Sequence, residues 1–488
     1  MLPTTRKALP LLAVALLITG LSACGDSGTD NTSSKSATGA ATDTAAAGDT
    51  DTDTDTDTGT DNTDTDTQAA TGDDACAAYA QYGDLSGTKV TVYATFIDQE
   101  GSEYEASWAQ FANCTGAEIA YEGSREFEAQ LPVRVEAGAA PDIAILPQPG
   151  LLRTMVATGQ VKPAPAAVEA NVDQYWSASW KDYGTVDGTF YAAPLGASAK
   201  SFVWYSPAMF ADAGYSIPTT WDELVALTEQ IAADGVAKPW CVGIESGTAT
   251  GWPATDWVED MVLRFAGGAN YDKWVAHEIP FNDPSIVTSL EEMGALIHNE
   301  DYVNAGIGNV QSIAAEPWTD AGYPIVDGTC YLHRAASFYQ TNWTTLDPEL
   351  TVGEDGDVWA FPLPGLTADS KPTIGGGDFV AAFSDRPEVQ AFQAFLASPE
   401  WANAKATATP QGWVTANSGL DASLLQSPMD QLAFSVLADP GVEFRFDGSD
   451  LMPSEVGAGS FWTEMTNYFA QDKSPQEVLD AIEASWPK

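Results

Sequence analysis

The sequence predicts an α/β fold assembled from more than one domain. Three observations carry that expectation. Strand and helix patterns alternate as β-α-β-α-β between Lys89 and Leu146. Globular composition then runs from about Asp84 to Lys488, roughly 405 residues, more than one core usually serves. Helix-start signals recur as far as the C-terminus.

Each element has its own reason. Lys89 to Phe96 alternates apolar and polar side chains, the period of a strand. Tyr104 to Ala112 places Trp108 and Phe111 on one helical face, and Glu118 to Glu122 is strand-like. Arg125 to Ala137 reads as a helix stopped by Gly138, and Asp142 to Leu146 as a fully buried strand. Thr220 to Glu223 has the form of a capping box, with Leu224, Leu227 and Ile231 on one face. Ser474 to Glu477 repeats that form, with Pro475 in the first helical turn. Glu388 to Ala397 presents Val389, Phe392 and Phe395 at helical spacing.

The N-terminal residues read as an export signal. Arg6 and Lys7 precede an apolar run from Ala8 to Gly20, too short to span a bilayer. Small residues then lead to Cys24, which resembles the acylated cysteine of bacterial lipoproteins. The expected division is a signal at 1–23, then lipidated Cys24 with an Asp/Thr-rich tether over 24–75. That tether includes the Asp–Thr run from Asp49 to Asp57 and offers no apolar surface to offset the entropy of ordering. It is not a calcium loop, because Gly59 comes one residue late and no Glu follows. Expected localisation is outside the cytoplasm, anchored to the membrane through lipid on Cys24.

Net charge is −49, from 69 acidic and 20 basic residues. Such a surface repels phosphate backbones, so nucleic acid is excluded as a partner. Five cysteines are present. With Cys24 assigned to lipid, Cys76, Cys114, Cys241 and Cys330 allow three pairings in an oxidising compartment.

Catalytic and metal-ligating constellations are missing from the sequence. The three histidines, His277, His298 and His333, have no zinc spacing, and no Gly-x-Ser-x-Gly or phosphate-loop motif occurs. No metal or cofactor is expected, and the chain reads as a binding protein and not an enzyme. A surface glycoside hydrolase is the alternative, since two carboxylates suffice for that chemistry. Gly375 to Gly377 followed by Asp378 reads either as a flexible connection or as backbone passing close to a ligand. There are 16 tryptophans, and several lie beside acids or amides, as in Gly251 to Trp257, Gln411 to Trp413 and Ser460 to Trp462. An aromatic plane packs on the C–H face of a sugar ring, while carboxylates and amides take its hydroxyls.

The ordered series of segments resembles a known family. Gly138 to Ile145, Gly188 to Pro194 and Val203 to Ser206 are similar to extracellular solute-binding proteins of carbohydrate ABC importers, the maltose-binding-protein-like group. Pro218 to Leu224, Gly243 to Gly247, Gly251 to Trp257, Lys273 to Asn282 and Arg445 to Pro453 resemble its α-glucoside-binding branch.

The resemblance implies a two-lobed periplasmic-binding-protein-like fold of type II, each lobe a sheet flanked by helices, with a cleft between. Lobe one would take 84–197 plus 378–427 and lobe two 198–377 plus 428–488, with crossings near Ser198, Asp378 and Ser427. Pairings Cys76–Cys114 and Cys241–Cys330 would each stay within one lobe and leave a closing clamp free. The implied ligand positions are Phe96, Asp98, Ser124, Glu126 and Gln148 on lobe one, then Ser198 and Lys200 at the first crossing. Trp252, Asp256 and Trp462 follow on lobe two, with Asp378 and Trp413 added from their own local patterns. Gln148-Pro149-Gly150 departs from maltose-binding protein, which has charged sugar-binding side chains there. The implied function is capture of an oligosaccharide, an α-glucoside in the first instance, by a monomer that delivers it to ABC permease subunits. A polyol or another non-sugar solute is the alternative ligand.

Overall fold

In the computed structural model, residues 76–306 and 308–487 are described. The signal segment, Cys24 and the Asp/Thr tether lie outside the described residues. Strands alternate with helices from the start: β1 (Lys89–Ala94), α1 (Asp98–Thr115), β2 (Glu118–Gly123), α2 (Phe127–Glu136) and β3 (Ile143–Leu146). Helix α1 begins six residues ahead of the expected Tyr104. Gly101 and Ser102 look like loop residues in sequence, but Gly101 lies where a Cβ would press on the Tyr121 ring at 3.2 Å. Glycine there answers to packing and not to a turn.

Two sheets follow from two strand sets. A small hairpin, β4 (Thr185–Val186) and β5 (Thr189–Phe190), leads to β6 (Ala192–Ala199), and β7 (Phe202–Tyr205) starts after only Lys200 and Ser201. The remaining strands are β8 (Lys238–Cys241), β9 (Val303–Asn304), β10 (Cys330–Arg334), β11 (Trp359–Pro362), β12 (Pro372–Ala382) and β13 (Glu443–Phe446). The first sheet runs β13-β12-β3-β1-β2, with β6 also paired to β12; the second runs β11-β7-β10-β8-β9. The molecule therefore has two α/β lobes.

The first sheet is covered on both faces, as its side chains show. Val90, Val92, Ile143 and Ile145 join one buried cluster, while their neighbours Tyr93, Ala144 and Leu146 join another. Alternate strand residues point to opposite faces, so both faces need apolar cover.

The chain passes from sheet to sheet at Lys200–Ser201, within 363–371, and after Phe446. The third passage is expected near Ser427, with 428–488 all in lobe two. Instead, β13 hydrogen-bonds in parallel register to β12, Pro372 opposite Glu443 through Gly375 opposite Phe446. Its charged Glu443 and Arg445 conceal a strand of only four residues. Helices α3 (Trp462–Ala470) and α4 (Pro475–Ser485) complete the C-terminal region.

Local signals hold in part. At α4, Ser474 and Glu477 exchange both capping-box hydrogen bonds. At Thr220 only half the box forms: its hydroxyl accepts from Glu223 N at 3.3 Å, while the Glu223 carboxylate takes the N–H and hydroxyl of Thr219 at 2.7 and 2.8 Å. Disulfides Cys76–Cys114 and Cys241–Cys330 form as expected, with Cα separations of 5.3 and 5.8 Å. The second joins β8 to its neighbour β10.

Candidate functional site

The helix Trp252–Phe265 organises the region where the chain crosses between sheets. Gly251 caps it with φ 112, a conformation that favours glycine, and a side chain at Gly251 would run into the Trp462 backbone. Trp252 and Trp462, 210 positions apart in the chain, are thus neighbours through one glycine. The Trp252 ring keeps access to solvent and meets Trp318 edge-on at 5.1 Å and Phe338 at 6.3 Å. A recess behind it, lined by Trp257, His333 and Arg334, measures about 20 Å³. That is about one water and far too small for a sugar ring.

Beside the tryptophans lies a buried lattice of charges. Lys200 Nζ donates to Asp256 at 3.1 Å and to Asp447 at 2.5 Å, and stands 5.6 Å above the Trp252 ring. Arg334 donates to Asp256 at 2.9 Å and twice to Asp260, at 2.9 and 2.6 Å. Arg264 reaches Asp260 at 2.6 Å and the carbonyls of Leu363, Pro364 and Pro372. Ser201 donates to Asp260 and accepts from Ile374 N. Both neighbouring crossings are therefore fastened to one helix. Burial opposes the charge on Lys200, and Asp256, Asp447 and Asp450 more than reverse it, holding its ammonium well above the usual range. For Asp256 burial wins over Lys200 and Arg334 and pushes its carboxyl up to about 6. Asp447 goes the other way: burial is outweighed by Lys200 and hydrogen bonds, and its carboxyl is depressed.

The Gly375–Gly377 triplet is neither a loop nor a phosphate cradle. It lies inside β12, opposite Ala197 to Ala199 of β6. Side chains at 375 and 377 would strike the opposing carbonyls together with Phe444 and Trp180. At Gly376, Lys200 Cε, Ser198 Oγ and Asp450 Oδ2 converge within 3.2 to 3.8 Å of where a Cβ would be. Register shifts between Gly377 and Phe379, so Asp378 sits on a β-bulge. Its Oδ2 and Trp413 Nε1 both face Gly196, 2.9 and 3.2 Å from the corresponding point.

A second charged group surrounds Lys405. Its Nζ donates to Thr409 at 2.6 Å, lies 4.3 Å above the Tyr104 ring and 5.9 Å from Trp413, and approaches Glu103 at 3.8 Å. Burial lowers it to about 8, against the pull of Glu103 and Glu100. Burial, then the charge of Glu100, pushes Asp378 up to about 7; crowding likewise lifts Glu100 to about 7 although it keeps solvent access. Phe96 closes this group from below, its ring stacked on Tyr104 at 4.2 Å.

All of the sequence-predicted residues except Gln148 therefore fall into three sets. Ser198, Lys200, Trp252, Asp256 and Trp462 come together at the crossing. Phe96, Asp378 and Trp413 gather around Lys405 and Tyr104. Asp98, Ser124 and Glu126 lie at the ends of β1 and β2: Asp98 is exposed with φ 51 and 3.9 Å from Arg125, and Ser124 accepts from Glu126 N. No hydrogen bond joins this third set to either of the others among the described residues. Gln148 is buried at the start of the helix Pro149–Ala157, whose Gly150 rests on the Met452 carbonyl. Sequence reasoning missed Asp447, Asp450, Arg334, Trp318 and Lys405. For Asp447 a signal existed: its side chain caps the next turn by accepting from Asp450 N at 3.1 Å.

Comparison with known proteins decides the family. The model for bacterial extracellular solute-binding proteins matches residues 97–403. The chain belongs to this family. Among its relatives, the osmoprotective compounds-binding protein of Synechocystis sp. is 36% identical over 85% of this chain and 96% of its own length. The α-glucosides-binding periplasmic protein of Rhizobium meliloti is 37% identical over 83% and 88%. A solved bacterial solute receptor, described as exclusively preferring β-D-galactopyranose, shares the fold with a TM-score of 0.67 at 16% identity, covering 82% of this chain and 98% of its own. This solute-binding protein is thus an extracytoplasmic component of ABC import, from a family of binding proteins rather than enzymes. Among the described residues no helix is long and apolar enough to cross a membrane, and no cluster of potential metal ligands occurs.

Proposed function

We propose that this solute-binding protein captures a neutral oligosaccharide, an α-glucoside in the first instance, in a cleft between its lobes, and that closure presents the loaded form to the permease. One observation carries the reading: the Trp252 ring lies 5.6 Å from Lys200, which converges with Ser198 and Asp450 at Gly376, while the backbone of Trp462 rests on Gly251 next to Trp252; the Asp450 carboxyl accepts no hydrogen bond among the described residues. Aromatic planes beside hydroxyl-pairing groups suit a polyhydroxylated ring. On this reading Phe96, Gln148, Asp378 and Trp413 line the lobe-one side with Asp98, Ser124 and Glu126 at its rim. Sugar that touches both lobes stabilises the closed form by the contacts it gains there. No bond is made or broken in the sugar. The protein acts as a monomer tethered through lipid on Cys24.

The relative that binds osmoprotective compounds supports a second ligand class, a compact polyol or other osmolyte in the same site. A thermal-denaturation screen of the soluble domain against maltose, sucrose, trehalose, raffinose and sorbitol separates these readings. At one hundred times the dissociation constant a true ligand raises stability by about 2.7 kcal/mol. Stabilisation by sorbitol alone selects the second class; stabilisation by none of the five defeats both. Hydrolysis of a chromogenic α-glucoside, abolished by replacing one acid, would instead establish a hydrolase.

A further inference from the structure

Trp462 opens α3, and the six residues before it, Val456–Phe461, form a π-helical turn. Such turns are rare and persist where the surroundings hold them. Here the support can be traced residue by residue. Gly457 is buried against the carbonyl of Ser449, which a side chain at 457 would strike. Ser449 is clamped in turn: Glu259, in the helix Trp252–Phe265, accepts the N–H of Gly448 at 2.7 Å and of Ser449 at 2.9 Å, one on each oxygen. At its other end the segment rests on Gly251, which meets the Trp462 backbone. Both ends of the stretch from Gly448 to Trp462 are thereby referenced to the helix that also carries Trp252.

We infer that Glu259 is a positioning residue: through the Gly448–Ser449 peptides and the π turn it sets the Trp462 ring relative to Trp252. It acts on sugar only through that ring. The inference rests on the reading of Trp462 as a sugar-contacting residue. Glutamine at 259 keeps the size but turns one acceptor into a donor facing an N–H.

The test is a double-mutant cycle by isothermal titration with the tightest-bound of maltose, sucrose, trehalose and raffinose. The expected result is at least five-fold weaker binding in Glu259→Gln, with no further loss when it is added to Trp462→Ala. Additive losses, or Glu259→Gln that melts earlier but binds as the parent does, overturn the inference alone. Unchanged binding by Trp462→Ala, or a parent that binds none of the four and not sorbitol either, removes the site reading and the inference with it; a parent that binds sorbitol alone is put through the same cycle with sorbitol. Should Glu259→Gln not fold, Gly457→Ala probes the same link from the π turn, with folding checked by circular dichroism. It too is expected to weaken binding only where Trp462 is present, and an additive or silent result overturns the inference.

Discussion

The charges around Lys200 are buried and those around Lys405 only partly so, with Glu100 exposed, and the two groups are built to different ends. In the first group, Lys200, Arg264 and Arg334 alternate with Asp256, Asp260 and Asp447, and each acid accepts charge-assisted hydrogen bonds. In the second, among the described residues, Lys405 has one side-chain hydrogen bond, to Thr409, and neither Glu100 nor Asp378 accepts one. Desolvation acts on both groups. In the first group Lys200 and hydrogen bonds outweigh it at Asp447, although it still lifts Asp256 to about 6; in the second it leaves Asp378 and Glu100 at about 7. The lattice thus fastens the crossing segments, while the second group keeps polar capacity free.

Breaking the lattice should have the largest effect. Asp260→Ala strands Arg264 and part of the pairing of Arg334, and should cost about 3–5 kcal/mol in urea unfolding. An equal loss on replacing Asp378 would erase the contrast. Next comes the aromatic pair: Trp252→Ala, partly exposed and outside the lattice, should weaken sugar binding ten-fold or more by calorimetry, about 1.4 kcal/mol, with little change in melting temperature. The smallest effect should be the pH response of the second group. Asp378 binds its proton more tightly when folded, with its carboxyl near 7 against an ordinary value of 3.8. Its contribution is therefore present at low pH and is lost as pH rises from about 4 through 7. His333, lowered by burial to about 4, acts oppositely over part of that window, so the comparison must be between variants. Melting curves from pH 4.5 to 8 should show parent minus Asp378→Asn falling as pH rises; a flat difference would place Asp378 with the fixed charges.

Much of the fold was legible because it is written locally. Alternation at Val90 and Val92, the capping box at Ser474, and the apolar run at Ile143 each depend on residues within a few positions. Lys200, Trp252 and Asp256 were legible as candidates through their surrounding segments. Their partners were not: Arg334 lies 78 residues from Asp256, and Asp447 lies 247 from Lys200. The flexible-connection reading of the glycine triplet failed for a related reason. Its glycines permit close approach of Ser198, Phe444 and Trp180, none of which is nearby in sequence.

By itself the sequence determined the alternating α/β pattern, the acidity and the family, because periodicity, composition and ordered motifs are properties of the chain. Tertiary structure alone decided that β13 joins the first sheet, that Gly251 brings two distant tryptophans together, and which buried acids keep their charge. The physical reason is the same in all three cases: pairing and desolvation depend on distance in space, which chain order does not encode residue by residue.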